Sequence, residues 1–405
     1  MNLLRKIKRF VFRKIRDIRS RYYLRKITSK SSAKGVIKVG FIVQMPEIWD
    51  KQVDVYEIMC DTPGVEPYLV VVPPYNFDKK EFCKYGEEKT YFSEKYGNVI
   101  DAVSEDGKII DIKKYSFDYV FYQRPYDVHL PKELRSSSVV KFSKVCYIPY
   151  GFIGANVFSN IHHFDFYRNV YIGFMDSREE STSLNKLYNA NTKKGYQQFV
   201  DLGYPVLEKF INMKCDGECK NVLWTPRWSY DENVGGSHFV EYKDEILKLN
   251  SLHKELQVTI RPHPLTLPNM IKEGKMTEQD VEKYKCDLKE NNVIIDRNEM
   301  IEHSISNTDI LITDFSSIMV MYFLTGKPMI YCKSELELND IYKRMLEGVY
   351  VANTWEDVEK YIEEICSGND YLKEIRQEII ETDFKNVKNS AKSIVDYIIH
   401  DYNKD

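Results

Sequence analysis

Short apolar runs rich in β-branched and aromatic residues alternate with helical patterns along the chain from Val36 onward. This alternation is typical of βαβ units, in which parallel strands are connected by helices that cover the sheet. In the first half the predicted strands are Val36–Val43, Tyr68–Val72, Tyr119–Tyr122 and Val170–Phe174, with a helical pattern around Lys79–Tyr96. In the second half the predicted strands are Val222–Thr225, Val258–Ile260, Val293–Ile295, Ile310–Thr313 and Pro328–Tyr331. Helices are predicted in the second half at Phe239–Leu249, Thr277–Lys289, Met300–Asn307, Ser316–Leu324 and Trp355–Cys366.

The length of the chain, 405 residues, exceeds what one ordinary hydrophobic core supports and predicts two domains. We expect the boundary near Tyr204–Gly217, just before the second series of strands and helices begins. The predicted fold class is α/β, with two Rossmann-like domains whose parallel sheets face a cleft. The predicted domains are residues 35–205 and 206–375, and residues 376–405 are expected to form a C-terminal helix that packs back across the hinge.

The N-terminal segment is strongly basic. Residues 1–30 carry twelve Lys and Arg and one acid, Asp17, a net charge of +11 in a chain whose total is −3. One apolar stripe of a helix over residues 1–27 is predicted from the spacing of Leu4, Ile7, Val11, Ile15, Ile18 and Tyr22. An apolar stripe flanked by arginines suits the surface of an anionic membrane. A helix packed on its own domain and an RNA-binding arm are the alternatives, and we favour the membrane because the stripe is continuous.

Several common ligand motifs are absent from the sequence. There is no Walker phosphate loop and no Gly-x-Gly-x-x-Gly, which argues against the usual ATPase, kinase and NAD-binding classes. No Asp-x-Asp pair occurs, so we predict neither a metal ion that bridges a donor diphosphate nor any other cofactor. No signal peptide and no run of about 20 apolar residues is found. The scattered cysteines are typical of reduced thiols in a cytoplasmic protein, and with the basic helix they predict a peripheral protein on the cytoplasmic face of the cell membrane.

Three segments that directly follow predicted strands contain residues suited to phosphate. Ligands of open parallel sheets bind beyond the carboxyl ends of the strands, so the three segments are expected to converge on one crevice. In Thr259–Pro264, prolines on both sides hold His263 in an extended backbone beside Arg261, whose fork of N–H donors fits phosphate oxygens. The alternative is a turn in which His263 caps a neighbouring backbone group.

The second segment, Ile312–Ser317, precedes an apolar run and predicts a buried helix that begins at Ser316. Free backbone N–H groups at such a helix start, together with the hydroxyls of Ser316 and Ser317, would form a cup for an anion. Asp314 and the serines are also ordinary helix caps, and capping is compatible with phosphate binding.

The third segment is Leu223–Trp228. Thr225 ends the predicted strand, and Arg227 follows it between a proline and a tryptophan. From this position Arg227 would reach the same crevice, with the tryptophans as walls.

In their order and spacing, the three segments resemble the CDP-glycerol glycerophosphotransferase family of teichoic acid polymerases and primases. Arg261–Pro264 matches the family's Arg-x-His-Pro, and Thr313–Ser317 matches its Thr-Asp-Tyr-Ser-Ser with Phe315 in place of Tyr. The family's strand-end Pro-x-x-Arg is similar to Thr225–Trp228, and its Gly-Tyr-Pro matches Gly203–Pro205.

The resemblance implies a GT-B-like fold in which residues 35–205 serve the acceptor and residues 206–375 bind the nucleotide donor. It implies transfer of glycerol phosphate, or a related polyol phosphate, from CDP-glycerol or a similar cytidine-nucleotide donor. The acceptor would be a cell-envelope polymer or its lipid-linked precursor, in teichoic acid or capsule synthesis, and no nucleic acid is expected as a partner. By similarity, His263 and Arg261 would be the catalytic residues at the donor diphosphate. The substrate-binding residues would be Thr225, Arg227, Asp314, Ser316 and Ser317.

The first half departs from the family pattern where the family has Trp-His-Gly-Thr, the segment that supplies a general base. The corresponding residues here, Cys146–Gly151, contain no histidine, and His129, His162 and His163 are the nearby candidates for the base. The family's Tyr-Asp segment is also missing from Tyr331–Ser334. Two alternatives therefore stay open: a GT-B glycosyltransferase that uses a CMP-sugar or another nucleotide sugar, and a non-catalytic, membrane-docked module of a polymer-synthesis complex.

Overall fold

The computed structural model describes residues 2–29, 35–76, 79, 81–155, 161–211, 213, 219–298 and 300–404. The chain divides into two compact units, each with its own parallel sheet. The first unit contains Met1–Ile153, Ser159–Val206 and Asn386–Asp405, and the second contains Gly154–Phe158 and Leu207–Lys385. The predicted α/β class is confirmed.

The first unit is built on seven parallel strands: β1 (Ile37–Val43), β2 (Val65–Val71), β5 (Val99–Asp101), β6 (Tyr119–Tyr122), β7 (Lys144–Tyr147), β8 (Ile172–Phe174) and β9 (Gln198–Val200). Their order in the sheet is β5-β2-β1-β6-β7-β8-β9. The apolar patterns do not predict β5 and β9, which are three residues long, nor β7, where the charge of buried Lys144 interrupts the apolar run.

The helices of the first unit are α1 (Asn2–Thr28), α2 (Val53–Asp61), α3 (Glu87–Lys95), α4 (Ser136–Val139), α5 (Arg178–Leu187), α6 (Asn189–Thr192) and, at the end of the chain, α16 (Ser390–Asn403). The helical pattern around Lys79–Tyr96 is wrong over its first part. A short antiparallel pair, β3 (Tyr75–Asn76) and β4 (Glu81–Phe82), forms there instead. The rings of Tyr75 and Phe82 lie 5.2 Å apart across this pair, and α3 starts only after Gly86.

The second unit is built on six parallel strands: β10 (Asn221–Thr225), β11 (Gln257–Ile260), β12 (Ile294–Ile295), β13 (Ile310–Thr313), β14 (Met329–Cys332) and β15 (Tyr350–Ala352). Their order is β12-β11-β10-β13-β14-β15. The helices are α7 (Pro205–Ile211), which begins at the junction of the units, α8 (Phe239–Leu252), α9 (Thr266–Lys272), α10 (Glu278–Glu290), α11 (Ile301–Ser306), α12 (Ile318–Phe323), α13 (Asp340–Leu346), α14 (Trp355–Cys366) and α15 (Lys373–Asp383).

The central strands β10 and β13 of the second unit are fully buried except at the first residue of β10, as expected for a parallel sheet with helices on its faces. Trp224 on β10 stacks on Phe239 at the start of α8, with ring centroids 5.6 Å apart. This packing holds the carboxyl end of β10, which the motif segment Leu223–Trp228 spans.

The last helix, α16, is joined to the first sheet by buried polar contacts. Asp401 accepts hydrogen bonds from Tyr119 and Tyr171, each at 2.7 Å, and forms an ion pair with Lys144 at 2.9 Å. These three partners stand at the beginnings of β6 and β7 and just before β8. Gly203 lies against the backbone of Asn386, a residue just before α16. A side chain at position 203 would collide with that backbone, which explains the need for glycine in the Gly-Tyr-Pro segment.

Helix α1 contacts the rest of the first unit through the face opposite its apolar stripe. Ser20, Leu24 and Ile27 are buried, whereas four stripe residues are between 47% and 66% exposed: Val11, Ile15, Ile18 and Tyr22. The side chains of Leu4 and Ile7 lie outside the described residues. Helix α1 therefore packs on its own domain, but through residues outside the described part of the stripe. Contact of the exposed stripe with a membrane stays a prediction. Among the helices that the structure describes, none is long and apolar enough to cross a membrane.

Candidate functional site

The motif residues of the second unit gather where the direction of the sheet reverses. Numbered along this unit, the strand order is 3-2-1-4-5-6, that of doubly wound nucleotide-binding folds. In such sheets the ligand lies beyond the carboxyl ends of the two strands at which the order reverses, here β10 and β13. Both strands are followed directly by motif segments, so the structure brings Leu223–Trp228 and Ile312–Ser317 together.

Hydrogen bonds join the ends of β10 and β13. Thr225 Oγ1 donates to Thr313 Oγ1 at 2.7 Å, and the backbone N–H of Arg227 donates to Asp314 Oδ2 at 2.8 Å. Thr225, Thr313 and Asp314 are all buried. Thr225 and Asp314 therefore hold the two loops in register, and their predicted contact with substrate stays a prediction.

His238, directly before α8, forms an ion pair with Asp314. Its Nδ1 lies 2.7 Å from Asp314 Oδ1, and its backbone N–H donates to Oδ2 of the same carboxylate at 3.2 Å. Burial alone would lower the pKa of His238, but the hydrogen bond to Asp314 and the charges of Asp314 and Glu241 raise it above its usual value. Since Nδ1 faces the carboxylate, Nε2 is the ring atom left for a ligand.

Sequence reasoning missed His238. It stands apart from the three motifs, and its partner lies 76 residues further along the chain. The available signal is local: a histidine that follows Gly-Gly-Ser at the start of a predicted helix, after a strand that carries one of the motifs.

The guanidinium of Arg227 is buried between two aromatic rings. It lies 5.2 Å from the ring centre of Phe315 and 5.9 Å from that of Trp228, and Nη1 donates to the backbone carbonyl of Phe315. Its Nε has no hydrogen-bond partner among the described residues. Burial lowers the pKa of Arg227, partly offset by the charge of Asp314. Gly235 covers this side chain so closely that an added Cβ would lie 3.2 Å from Nε.

The two serines of the second segment are not used as helix caps. Helix α12 begins at Ile318, two residues later than predicted, and Ser317, at the N-cap position, makes no side-chain capping hydrogen bond. The buried Oγ of Ser316 has no partner within the described parts of the chain. Because α12 has only six residues, the serine hydroxyls rather than a long helix dipole are the main donors that this segment offers.

His263 lies beyond the end of β11, next to the same group of residues. Its Nδ1 accepts a hydrogen bond from the backbone N–H of Leu265 at 3.1 Å, so the neutral ring carries its proton on Nε2. The ring centre is 6.1 Å from that of Trp228. Burial, and then the charge of Arg227, lower the pKa of His263. The capping contact therefore leaves Nε2–H available, and the predicted contact of His263 with the donor stays a prediction.

Arg261 is engaged within the protein. Its Nη1 pairs with Asp296 at 2.8 Å and also donates to the carbonyl of Asn298 at 2.8 Å and to Ser304 Oγ at 3.2 Å. These contacts tie the end of β11 to the loop after β12 and to α11. The structure thus gives Arg261 a positioning contact, and the prediction that it also contacts the donor diphosphate stays a prediction.

The candidate bases in the first unit occupy three different environments. His162 is buried, and its Nε2 lies 2.7 Å from Glu180 Oε2. His163 lies in a cavity lined by arginines beside α1. His129 follows β6, with its ring centre 5.6 Å from that of Tyr75. Burial, and then the charge of Arg124, lower the pKa of His129.

The segment without a histidine, Cys146–Gly151, contains Tyr150, which lies in the loop after β7. Tyr150 and Tyr126 share a hydrogen bond of 2.6 Å between their hydroxyls. Arg124, which follows β6, donates to the side chain of Gln44 at 2.7 Å. Strands β1 and β6 are where the order of the first sheet reverses, so these polar groups lie at the corresponding crevice of the first unit.

The grouping in the second unit fits an anion. Arg227, the ion-paired His238, the Nε2–H of His263 and the hydroxyl of Ser316 supply donors, while Asp314 is occupied by its internal partners. Donors of this kind, partly withdrawn from water, bind phosphate and stabilise charge that develops on it.

Comparison with known proteins agrees with this geometry. Residues 186–399, more than half of the chain, match the family described as CDP-Glycerol:Poly(glycerophosphate) glycerophosphotransferase. No curated protein matches the sequence.

Among solved structures, the chain is similar to a UDP-N-acetylglucosamine 2-epimerase from Listeria monocytogenes described as putative, with TM-score 0.59 and 10% identity over 92% of this chain and 98% of that one. It is also similar to a histidine variant of the wall teichoic acid polymerase TagF soaked with CDPG, with TM-score 0.54 and 14% identity over 99% and 96% of the two chains. A glycosyltransferase from Rickettsia africae has TM-score 0.55 and 14% identity over 91% and 98%.

At these identities the structural likeness confirms the GT-B-like fold alone. The family match covers all three motif segments and decides against the nucleotide-sugar glycosyltransferase and the non-catalytic module. The chain therefore belongs to the CDP-glycerol:poly(glycerophosphate) glycerophosphotransferase family and is an enzyme of the glycerophosphotransferase type.

Proposed function

We propose that this protein transfers glycerol phosphate, or a related polyol phosphate, from a CDP-activated donor to a cell-envelope polymer or its lipid-linked precursor, in teichoic acid or capsule synthesis. The observation that carries the proposal is the group of phosphate-directed donors beyond β10 and β13. There the buried Nε of Arg227 and Oγ of Ser316 both lack hydrogen-bond partners among the described residues, beside the His238–Asp314 pair. Buried donors without partners are costly, and phosphate oxygens would satisfy them.

In the proposed reaction, a hydroxyl of the acceptor attacks the β-phosphorus of the donor. The bond from the β-phosphorus to the bridging oxygen breaks, and CMP leaves with the electron pair on that oxygen. Arg227, protonated His238 and Ser316 would stabilise the charge that grows on the departing phosphate. His263 would donate Nε2–H to the same diphosphate, while Arg261 holds the loop that presents His263.

The attacking hydroxyl must also lose a proton. Of the three histidines considered for this step, we favour His129. His162 is buried against Glu180, and His163 lies among arginines. His129 stands at the crevice of the first unit, and its lowered pKa keeps the ring neutral and able to accept a proton at pH 7.

We further propose that α1 holds the enzyme on the cytoplasmic face of the cell membrane. The exposed stripe of Val11, Ile15, Ile18 and Tyr22 supplies the apolar face, and the net charge of +11 in residues 1–30 attracts anionic lipid. The acceptor is then reached at the surface where a lipid-linked precursor is held.

The test is a transfer assay with the full chain and CDP-glycerol labelled in the glycerol. The expected result is label in a lipid-linked acceptor together with an equal amount of CMP. CDP-ribitol and a CMP-sugar, supplied in parallel, determine the donor class. Release of CMP from the CMP-sugar and from neither CDP-polyol would overturn the proposal.

A further inference from the structure

A cavity of about 850 Å³ lies in the first unit between α1 and two loops, the one that follows β6 and the one that precedes β8. This volume is in the range of sites that hold small ligands, roughly 300–1,000 Å³. Five arginines line the cavity: Arg13, Arg16, Arg19, Arg135 and Arg168. None of them belongs to the three motif segments, so the donor site does not account for them.

The charges in this cavity are not balanced. Arg16 pairs with Asp165, and Arg168 pairs with Asp165 and Asp17. In the part of the chain that the structure describes, the other three arginines form no ion pair: Arg13, Arg19 and Arg135. Three cations without an ion-pair partner around one cavity repel one another, and a bound anion would reduce that repulsion.

Asp127 and His163 also line the cavity, and neither forms an ion pair with the three arginines. Asp127 accepts hydrogen bonds from the backbone N–H and the hydroxyl of Ser136, at 2.8 and 2.6 Å, and burial raises its pKa. Asp127 therefore forms no ion pair with the three arginines, although the charge of Arg135 acts on it and partly offsets the rise in its pKa. Burial, then the charges of Arg13, His162 and Arg168, lower the pKa of His163.

Aromatic rings form the other part of the lining: Tyr23, Tyr126, Phe164 and Phe166. The rings of Tyr126 and Phe164 lie 5.7 Å apart. Arginine forks match phosphate oxygens, and aromatic faces pack against the carbon atoms of a ligand. The lining therefore fits a phosphate ester with an organic substituent better than a bare ion.

The position of the cavity on α1 indicates where such a ligand would come from. With 100° per residue, Arg16 and Arg19 lie on the flank of the helix, between the exposed stripe and the buried face at Ser20 and Leu24. If the stripe contacts lipid, Arg19 stands roughly a quarter turn from the membrane surface. The cavity then opens beside the lipid headgroups.

We propose that this cavity binds the phosphodiester of a membrane-anchored glycerophosphate headgroup and so positions a lipid-linked acceptor. The inference rests on the proposed function, because it names the acceptor of that reaction. It concerns binding and involves no covalent step.

The experiment compares two variants of the full chain that lose the same charge from the protein. The cavity variant combines Arg13→Gln, Arg19→Gln and Arg135→Gln, none of which breaks an ion pair seen in the described structure. The control variant combines Lys8→Gln, Arg25→Gln and Lys26→Gln, which are exposed on α1 outside the cavity. Thermal melts confirm that both variants fold.

Two probes are titrated: soluble glycerophosphoglycerol, and vesicles of phosphatidylglycerol in phosphatidylcholine. For the soluble probe, the expected result is affinity reduced roughly tenfold or more for the cavity variant, since charged hydrogen bonds to phosphate are lost, and within about twofold of wild type for the control. Both variants should bind vesicles less well because each loses three charges, and the cavity variant should lose more.

Three results would overturn the inference: no binding of glycerophosphoglycerol by the wild type, equal losses in both variants, or complete displacement of the probe by an equal concentration of inorganic phosphate, which would indicate a site for the free ion. Release of CMP from CDP-glycerol is measured on the same wild-type sample. Headgroup binding without any CMP release would refute the proposed transfer while leaving the headgroup site standing.

Discussion

Among single residues, the candidate donor site contains a histidine, His238, whose pKa is raised by one buried carboxylate. Asp314 is 1% exposed and receives three hydrogen bonds, from the backbone of Arg227 and from the backbone and ring of His238. The hydrogen bond and the negative charge of Asp314 favour the protonated ring of His238 and raise its pKa. The electrostatics of the site therefore change with the protonation of His238.

We expect kcat/KM to fall as pH rises through the raised pKa of His238, because only the protonated ring stabilises the leaving phosphate. The stability that the pair contributes follows the same direction: it is present below the ordinary pKa of 6.5 and lost as pH rises through the higher folded value. His238→Gln should remove this limb of the profile and lower kcat/KM about 10²–10³-fold. A pH–rate profile unchanged in His238→Gln would contradict the assignment.

The serines after β13 are expected to bind donor rather than to stabilise the fold. Ser316→Ala with Ser317→Ala should weaken binding of CDP-glycerol by about 1.5–3 kcal/mol per lost charged hydrogen bond. Stability should change little, because neither hydroxyl caps α12. Ser251→Ala, at an exposed hydroxyl in the same unit that bonds only within α8, is the control. Donor titration and melting are measured on the same samples, and a lower melting temperature with intact donor affinity would argue for a structural role.

His263 is expected to act through the proton on Nε2. His263→Ala should abolish transfer, and His263→Gln should restore part of it, because the glutamine amide offers an N–H donor at a similar reach. If His263 were the general base, Gln could not take its place, and both variants would lose about 10²–10⁴-fold. Steady-state kinetics of both variants distinguish these roles. Full activity in His263→Ala would show that the active site lies elsewhere.

At the scale of an element, α1 uses its two faces differently. One face enters the first unit through Ser20, Leu24 and Ile27, and the opposite face exposes the apolar stripe. Asp17 also pairs with the buried Arg168. Deletion of residues 1–27 would therefore remove structural contacts as well as the exposed apolar stripe, and point substitutions give the cleaner test.

Val11→Gln, Ile15→Gln and Ile18→Gln together should weaken binding to anionic vesicles roughly tenfold or more, because apolar area that enters the lipid interface is lost. The melting temperature should not change, since all three residues are exposed. Leu252→Gln with Ile294→Gln, at exposed apolar positions of the second unit, is the control. Vesicle flotation at low and high salt measures the effect, and equal binding of variant and wild type would refute the assignment of α1 to the membrane.

For the whole molecule, the main feature is that the last residues of the chain return to the first unit. Helix α16 belongs to the first unit although the second unit separates it in sequence. The buried group of Asp401, Lys144, Tyr119 and Tyr171 makes this return specific, because an unpaired charge in its place would be costly.

Asp401→Asn should reduce the free energy of unfolding by about 3–5 kcal/mol, since it removes the carboxylate that pairs with the buried charge of Lys144. Asp396→Asn removes the exposed ion pair with Lys392 on the same helix and should cost little. Urea denaturation of both variants measures the loss in the free energy of unfolding that each one causes. Similar losses would mean that the buried pair has no special role.

The amino-acid sequence predicts the alternation of strands and helices, the α/β class and the motif segments, since all of these are local patterns of apolar period and turn chemistry. It located β6 and β13 to the residue, because four consecutive buried apolar or threonine positions leave little choice. Very short strands such as β5 and β9 carry no period to recognise.

Contacts between residues far apart in the chain become visible only in the folded protein. His238 and Asp314 are 76 residues apart, and Lys144 and Asp401 are 257 apart, so no local pattern links either pair. The ion pair between Arg261, which follows β11, and Asp296, which follows β12, has no local pattern either. For α1, the spacing of apolar residues predicts a stripe but not the direction in which the stripe faces. Pairing of this kind depends on strand order and chain path, which are set by burial summed over the whole sheet.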